Sequence, residues 1–201
     1  MSLAVFIIFV VIAYLLGSIP SGILVARALG GVDPRTIGSK NIGATNVSRS
    51  AGKKAGVITL LGDLLKGAIP TFIAFRLNPD PLFVSLVGIA AFAGHLFPIY
   101  LKFKGGKGVA TACGVMLVIC PLAILLSALV FFIIVGIKKY VSLASIISAG
   151  MLPVFLSFSP RGKDYVFMGV AISVLIIIKH KENIKRLIEG TENKIGGKPK
   201  A

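Results

Sequence analysis

Three polar clusters interrupt a largely apolar chain, and their residue types suit one kind of ligand. Residues 38–49 read Gly-Ser-Lys-Asn-Ile-Gly-Ala-Thr-Asn-Val-Ser-Arg, with the cations Lys40 and Arg49 and no acid. Ser39, Asn41 and Asn46 are of types that bind hydroxyl groups, and a guanidinium grips phosphate in a bidentate fork. A merely solvated basic loop would mix Asp and Glu among its lysines, so the set points to an anionic, hydroxyl-bearing ligand. Residues 102–111 read Lys-Phe-Lys-Gly-Gly-Lys-Gly-Val-Ala-Thr, where Lys104, Gly105, Gly106, Lys107 and Gly108 open a predicted helix. Successive backbone N–H groups form an anion nest, and the helix N-terminus adds partial positive charge. Glycine lets the backbone approach a phosphate closely. Because Gly108 follows Lys107, the order is not that of a nucleotide-binding P-loop. The third cluster, residues 180–192, places His180 and Asn183 three apart, on one face of a helix, with Glu192 at its end. That stretch also reads as an amphipathic helix lying in a membrane interface.

Other chemistry-bearing residues are few. Asp63 and Lys66 fall inside an apolar run at a spacing that allows an ion pair, either as a structural link or as part of a site. His95 precedes Pro98 near the end of another run and reads as a packing residue or a site member. The two histidines and scattered acids make no metal set, so neither metal nor cofactor is expected. Cys113 and Cys120 lie seven apart. On one helix that is about 10 Å of rise, too far for a disulfide.

The elements that must position these clusters are set by composition. Of 201 residues, 56% are hydrophobic and 14% charged, with mean hydropathy +0.94. A soluble domain carries about 25% charged residues, so a soluble globular fold is disfavoured and disorder is excluded. Apolar runs at 3–26, 55–75, 82–101, 109–137, 141–158 and 165–178 read as membrane segments. No Lys or Arg precedes Arg27, so the first run is expected to be a true span, not a cleaved signal. The fourth run, 109–137, which contains Pro121, would be about 43 Å long as one helix, more than a bilayer core of about 30 Å. Splitting it near Pro121 leaves a short fourth span at about 106–119. With seven spans and the N-terminus outside, eighteen of the 22 Lys and Arg lie inside and only Arg76, Arg161 and Lys163 outside. With six spans the two sides are nearly equal. The positive-inside rule therefore selects an all-α bundle of seven transmembrane spans, N-terminus outside and C-terminus cytoplasmic, as one domain over residues 1–201. The residues closing the chain, 196–201, read as a frayed tail.

All three clusters then face the cytoplasm, and together they resemble the bacterial integral-membrane glycerol-3-phosphate acyltransferases that use acyl phosphate, the PlsY family. The resemblance extends over essentially the whole chain, including Gly17-Ser18-Ile19-Pro20-Ser21-Gly22. It implies transfer of a fatty acyl group from acyl phosphate to the 1-hydroxyl of sn-glycerol 3-phosphate, giving lysophosphatidate and phosphate. It further implies catalytic parts for Ser39, Arg49, His180 and Asn183. Gly105, Gly106, Lys107 and Gly108 match the acyl-phosphate loop, and Glu192 matches a more structural glutamate. Partners would be the two substrates and membrane lipid, with a functional link to an acyl-phosphate-producing enzyme, in the bacterial inner membrane. The other glycerolipid acyltransferase class uses H-x-x-x-x-D, which neither His95 nor His180 fits.

Acyl phosphate is already activated, so direct attack by the glycerol hydroxyl within a ternary complex is expected. The expected layout puts the donor phosphate on the glycine loop with Lys104 and Lys107. The acceptor phosphate goes to Arg49 and Lys40, with Ser39, Asn41 and Asn46 orienting hydroxyls. His180 would be a general base or would only position the acceptor, a substrate phosphate oxygen taking the proton instead. A transporter of phosphorylated solutes and a small lipid-binding membrane protein are the competing classes, since broken helices and a cationic site suit them too. Nucleic acid is excluded as a partner because the charge is dispersed among short loops.

Overall fold

The computed structural model describes residues 2–196, all of whose regular elements are helical. Lys198 and Lys200 of the basic tail lie outside the described residues. The chain forms two compact units, residues 1–118 and 119–201.

In the first unit, α1 (Leu3–Gly17) and α2 (Ser21–Ala28) form one apolar run bent by 41°. Pro20 has no N–H to continue the helix, so the run breaks at Ser18–Pro20. The break frees the Ile19 carbonyl from the helix ladder, and it accepts the Ser21 N–H at 3.0 Å. Lys66 adds a second donor, its Nζ lying 2.9 Å from Ile19 O. Helix α3 (Ala44–Leu77) is interrupted at Gly52, whose backbone (φ 87°, ψ 166°) is open only to glycine. An unbroken helix of that length would measure about 51 Å, far more than a bilayer core. The Gly52 break separates a short leading piece, carrying Asn46 and Arg49, from the apolar part that follows.

Helix α4 (Pro81–Leu96) begins with Pro81 in its first turn and with the Asp80 carboxylate accepting the Phe83 N–H at 2.9 Å. The apolar run to residue 101 is long enough to cross a bilayer, with Pro98 ending its α-helix at Leu96 and the remainder a 3-10 turn, Ile99–Leu101. Helices α1, α3 and α4 pack through small residues. A Cβ on Gly17 would collide with Ala91, and one on Gly94 with Tyr14 and Ser18. Phe83 meets Phe6 and Phe9 with ring centroids 5.2 and 5.9 Å apart. Helix α5 (Val109–Ile119) lies against α3, where Gly67 and Gly114 admit the backbones of Thr111 and Leu64.

Cys120 and Pro121 break the 109–137 block into α5 and α6 (Pro121–Lys138), the split that the charge count favoured. In the second unit α7 (Val141–Ser157) packs on α6, on α8 (Val166–Lys179) and on α9 (Lys181–Ile188). Ser173 of α8 donates its hydroxyl to Ala149 O of α7. Leu125, Leu129, Phe132 and Ile137 of α6 stand exposed, an apolar face suited to lipid. Helix α3, α4 with its following turn, and α6 are long and apolar enough to cross a bilayer, and the bent α1–α2 pair would be a fourth if its two helices form one span.

At the centre of the first unit, Asp63 is 2% exposed and accepts three donors or cations. Lys66 Nζ lies 2.8 Å from Oδ1, Ser21 Oγ donates at 3.0 Å, and His95 Nδ1 stands 3.4 Å away. Removing one partner of a buried pair strands the other. Asp63→Ala is expected to lower stability by about 3–5 kcal/mol, with Asp63→Ala/Lys66→Met recovering much of the loss. Thermal unfolding in detergent reads both, and an unchanged single variant would contradict this role.

Candidate functional site

The first cluster is a loop organised by one amide. Asn46, 2% exposed in the leading piece of α3, accepts the Ser39 N–H at 3.0 Å. Its Nδ2 donates to Pro34 O at 2.7 Å, Asn41 O at 2.9 Å and Ile37 O at 3.1 Å. The sequence suggested that Asn46 faces a ligand, whereas its side chain is occupied by the loop backbone. Asn41 folds on itself, its Oδ1 accepting the Gly43 N–H at 2.9 Å. Ser39 sits between two left-handed residues, Gly38 (φ 61°) and Lys40 (φ 54°). A lysine in this conformation is strained by about 1–2 kcal/mol, a cost that tends to persist at functional sites. Lys40 and Arg49 are exposed, and neither side chain makes a hydrogen bond or ion pair among the described residues. Asp33, the one acid between Arg27 and Lys54, is engaged by Arg35 at 2.6 Å, and that hydrogen-bonded guanidinium holds its carboxyl below the usual range. The cations of this loop therefore have no acid of their own nearby in the chain and are available to an anion.

The second cluster lies in the same unit. Lys102 (φ 51°) and Phe103 (φ 63°) are consecutive left-handed residues that reverse the chain after Pro98. The glycines that follow answer a demand the sequence did not reveal: they let the loop lie on the end of α4. A Cβ on Gly105 would strike His95 O and Pro98, one on Gly106 the His95 ring, and one on Gly108 Phe92 and Leu96. The expected anion nest is consequently only partial. The Gly106 N–H donates to His95 O at 3.1 Å and the Lys104 N–H to Leu101 O at 3.1 Å. The Gly105 and Gly108 N–H groups make no such bond among the described residues, and α5 starts immediately afterwards. Lys104 is exposed and Lys107 half-buried.

The third cluster belongs to the second unit. His180, 3% exposed, joins α8 to α9, and its Nδ1 stands 2.8 Å from Ile176 O. A carbonyl only accepts, so a ring proton resides on Nδ1. Asn183 Nδ2 donates to Glu192 Oε1 at 2.8 Å, Ser142 Oγ to the same oxygen at 2.9 Å, and Arg186 Nε to Oε2 at 2.7 Å. Gly190 (φ 69°) turns the chain so that Glu192 returns to α9. Ser142 was missed from sequence, because a serine inside an apolar run carries no local mark of its partner fifty residues on.

A sequence model of the glycerol-3-phosphate acyltransferase family matches residues 7–190. The chain belongs to the glycerol-3-phosphate acyltransferase family. A relative so named from Geobacter sulfurreducens is 51% identical over 183 residues, 91% of this chain and 94% of its own length. One from Trichlorobacter lovleyi is 49% identical over 182 residues, covering 90% and 93%. Among solved structures, PlsY, described as an integral membrane glycerol 3-phosphate acyltransferase, aligns in its glycerol 3-phosphate form with TM-score 0.90 at 44% identity. That match covers 94% of this chain and 95% of the other. The lysophosphatidic acid form aligns with TM-score 0.88. This glycerol-3-phosphate acyltransferase family member is thus a multi-pass membrane protein, and membership of an acyltransferase family sets the transporter alternative aside.

Burial pushes the Glu192 carboxyl up, but hydrogen bonds from Asn183, Arg186 and Ser142 outweigh it and leave the group below its ordinary value of 4.5. A carboxylate lowered on folding stabilises fully above its unfolded value, and that contribution disappears as pH falls through the folded one. Melting temperature measured from pH 7 down to 3 is expected to fall on the acid side, and less steeply in Glu192→Gln. Identical acid slopes in the two proteins would contradict the network.

Proposed function

We propose that this protein transfers a fatty acyl group from acyl phosphate to the 1-hydroxyl of sn-glycerol 3-phosphate, releasing lysophosphatidate and inorganic phosphate for phospholipid synthesis. The observation that carries the reading is the pair of cationic groups within one unit. Lys40 and Arg49 beside Ser39 form one, and Lys104 and Lys107 on the glycine loop form the other. Two phosphate-bearing substrates need two such groups, and each takes one phosphate. The family name supports glycerol 3-phosphate as acceptor, and the lysophosphatidic acid form of PlsY supports the product.

In the reaction the glycerol hydroxyl oxygen attacks the acyl carbonyl carbon. A new ester C–O bond forms, the carbonyl C–O bond to phosphate breaks, and phosphate leaves with the electron pair. The hydroxyl proton passes to His180 Nε2 or to a phosphate oxygen. The Nδ1–H···O=C bond to Ile176 fixes the ring's orientation for the first route. Lys104 and Lys107 stabilise charge on the departing phosphate, while Arg49 and Lys40 hold the acceptor phosphate. Ser39 and Asn41 orient hydroxyls, Asn46 holds their loop, and Asn183 fixes the third cluster through Glu192. Direct transfer is preferred to an acyl-Ser39 intermediate, since no base among the described residues holds the Ser39 hydroxyl.

The same reading places the protein in the bacterial cytoplasmic membrane as one catalytic domain, residues 1–201. Seven spans put the N-terminus outside, with the three clusters and the C-terminus inside. Its support is the cation asymmetry together with the breaks at Pro20 and Pro121. Purified protein given labelled glycerol 3-phosphate with either acyl phosphate or acyl-CoA tests the donor. Lysophosphatidate is expected with acyl phosphate alone; product from acyl-CoA, or from neither donor, would overturn the assignment.

A further inference from the structure

His95 is a buried titratable residue that the reaction above does not use. It lies in the last turn of α4, 3% exposed, and its two edges meet different things. Its Nδ1 edge stands 3.4 Å from Asp63 Oδ1. Its Nε2 edge bears on Gly106, so closely that any Cβ there would overlap it. The backbone of the same residue accepts the Gly106 N–H at 3.1 Å. Gly106 is therefore clasped twice by one residue, and the ring that clasps it is itself pinned.

The pin is the Asp63 carboxylate, held by Lys66 Nζ at 2.8 Å and Ser21 Oγ at 3.0 Å. Lys66 in turn is tied to the broken backbone at Ile19. Ser21 opens α2, and Gly22 beside it lets the Ile42 backbone of the first cluster pack closely. One side of the cluster thus reaches the loop of Ser39, and the other reaches the glycine loop. A simple packing histidine would not need a buried carboxylate and ammonium behind it, because burying charges in an apolar interior is costly.

We propose that His95 is a positioning residue for acyl transfer, a strut from the buried Asp63–Lys66 pair that sets the height of the Gly105–Gly108 loop. The inference rests on the reading that this loop holds one of the two substrate phosphates. His95 touches no reacting atom. It fixes where the Gly105 and Gly108 N–H groups and Lys104 meet that phosphate, and misplacement of order 1 Å costs about a hundredfold in rate.

The test compares the full-length enzyme in detergent with His95→Asn, Gly106→Ala and the double variant. His95→Asn keeps a donor towards Asp63 but withdraws from Gly106; His95→Ser, which also withdraws from Gly106, replaces it if the amide variant does not fold. The expected result for His95→Asn is a rise of about tenfold or more in KM for one substrate, with KM for the other within about twofold. Gly106→Ala is expected to lose activity by collision with the ring, and the double variant to regain part of it. Hydrogen exchange at residues 104–108 is expected to quicken in His95→Asn while the apolar part of α3 keeps its protection. Unchanged KM values for both substrates, or equal rises in both, would overturn the proposal, as would a double variant no better than Gly106→Ala. The exchange readout needs no substrate. Quickened exchange in His95→Asn, in an enzyme that makes no lysophosphatidate from any donor, would retain the strut while rejecting the functional reading.

Discussion

Everything in the first unit leans on the carboxylate of Asp63. A charged group in an apolar interior survives only with partners, since no water is there to replace them. Asp63 gathers an ammonium, a hydroxyl and an imidazole edge, each from a different stretch of chain. Lys66 comes from its own helix and also donates to the Ile19 carbonyl at the break before α2. Ser21 ties in the start of α2, and His95 ties in the end of α4. The break, the two helices and the two loops that follow them share one electrostatic centre.

Around that centre the cationic loops are kept without acids of their own. Asp33 is bound up by Arg35, so Lys40 and Arg49 face outward with no internal counter-charge among the described residues. The second unit follows a different rule. There one buried acid is fully engaged: Glu192 takes bonds from Ser142, Asn183 and Arg186, and so holds the last loop against α7 and α9. Asp63 orders the loops of its own unit and Glu192 the last loop of the other, and neither is left to compete for the cations. That division suits substrates that carry phosphate.

Much of this was legible in the sequence where local chemistry decides. Pro20 and Pro121 end helices because proline lacks a donor, and both breaks fall where the apolar runs suggested. The Asp63–Lys66 spacing gave away a pair on one helix face. Other features depend on partners distant in sequence and left no local mark. The apolar run to residue 101 can span as expected, but its α-helix ends at Leu96, because the pre-proline geometry at Phe97 turns the rest into a 3-10 turn. Asn46 looks like a ligand-binding amide, yet its partners are carbonyls of the preceding loop. The glycines of residues 105–108 suggest room for phosphate, whereas three of them are needed first to lie on α4. His95 was ambiguous because its meaning rests on Asp63, thirty-two residues earlier, and on Gly106, eleven later.

The central claim is that both substrates are held together and the acyl group passes directly between them. Exchange of labelled inorganic phosphate into acyl phosphate, measured without glycerol 3-phosphate, tests it most directly. Direct transfer requires the acceptor, so no exchange above the uncatalysed rate is predicted. Exchange at a rate approaching turnover would mean that the enzyme itself accepts the acyl group, with Ser39 the first residue to suspect, and would contradict the account.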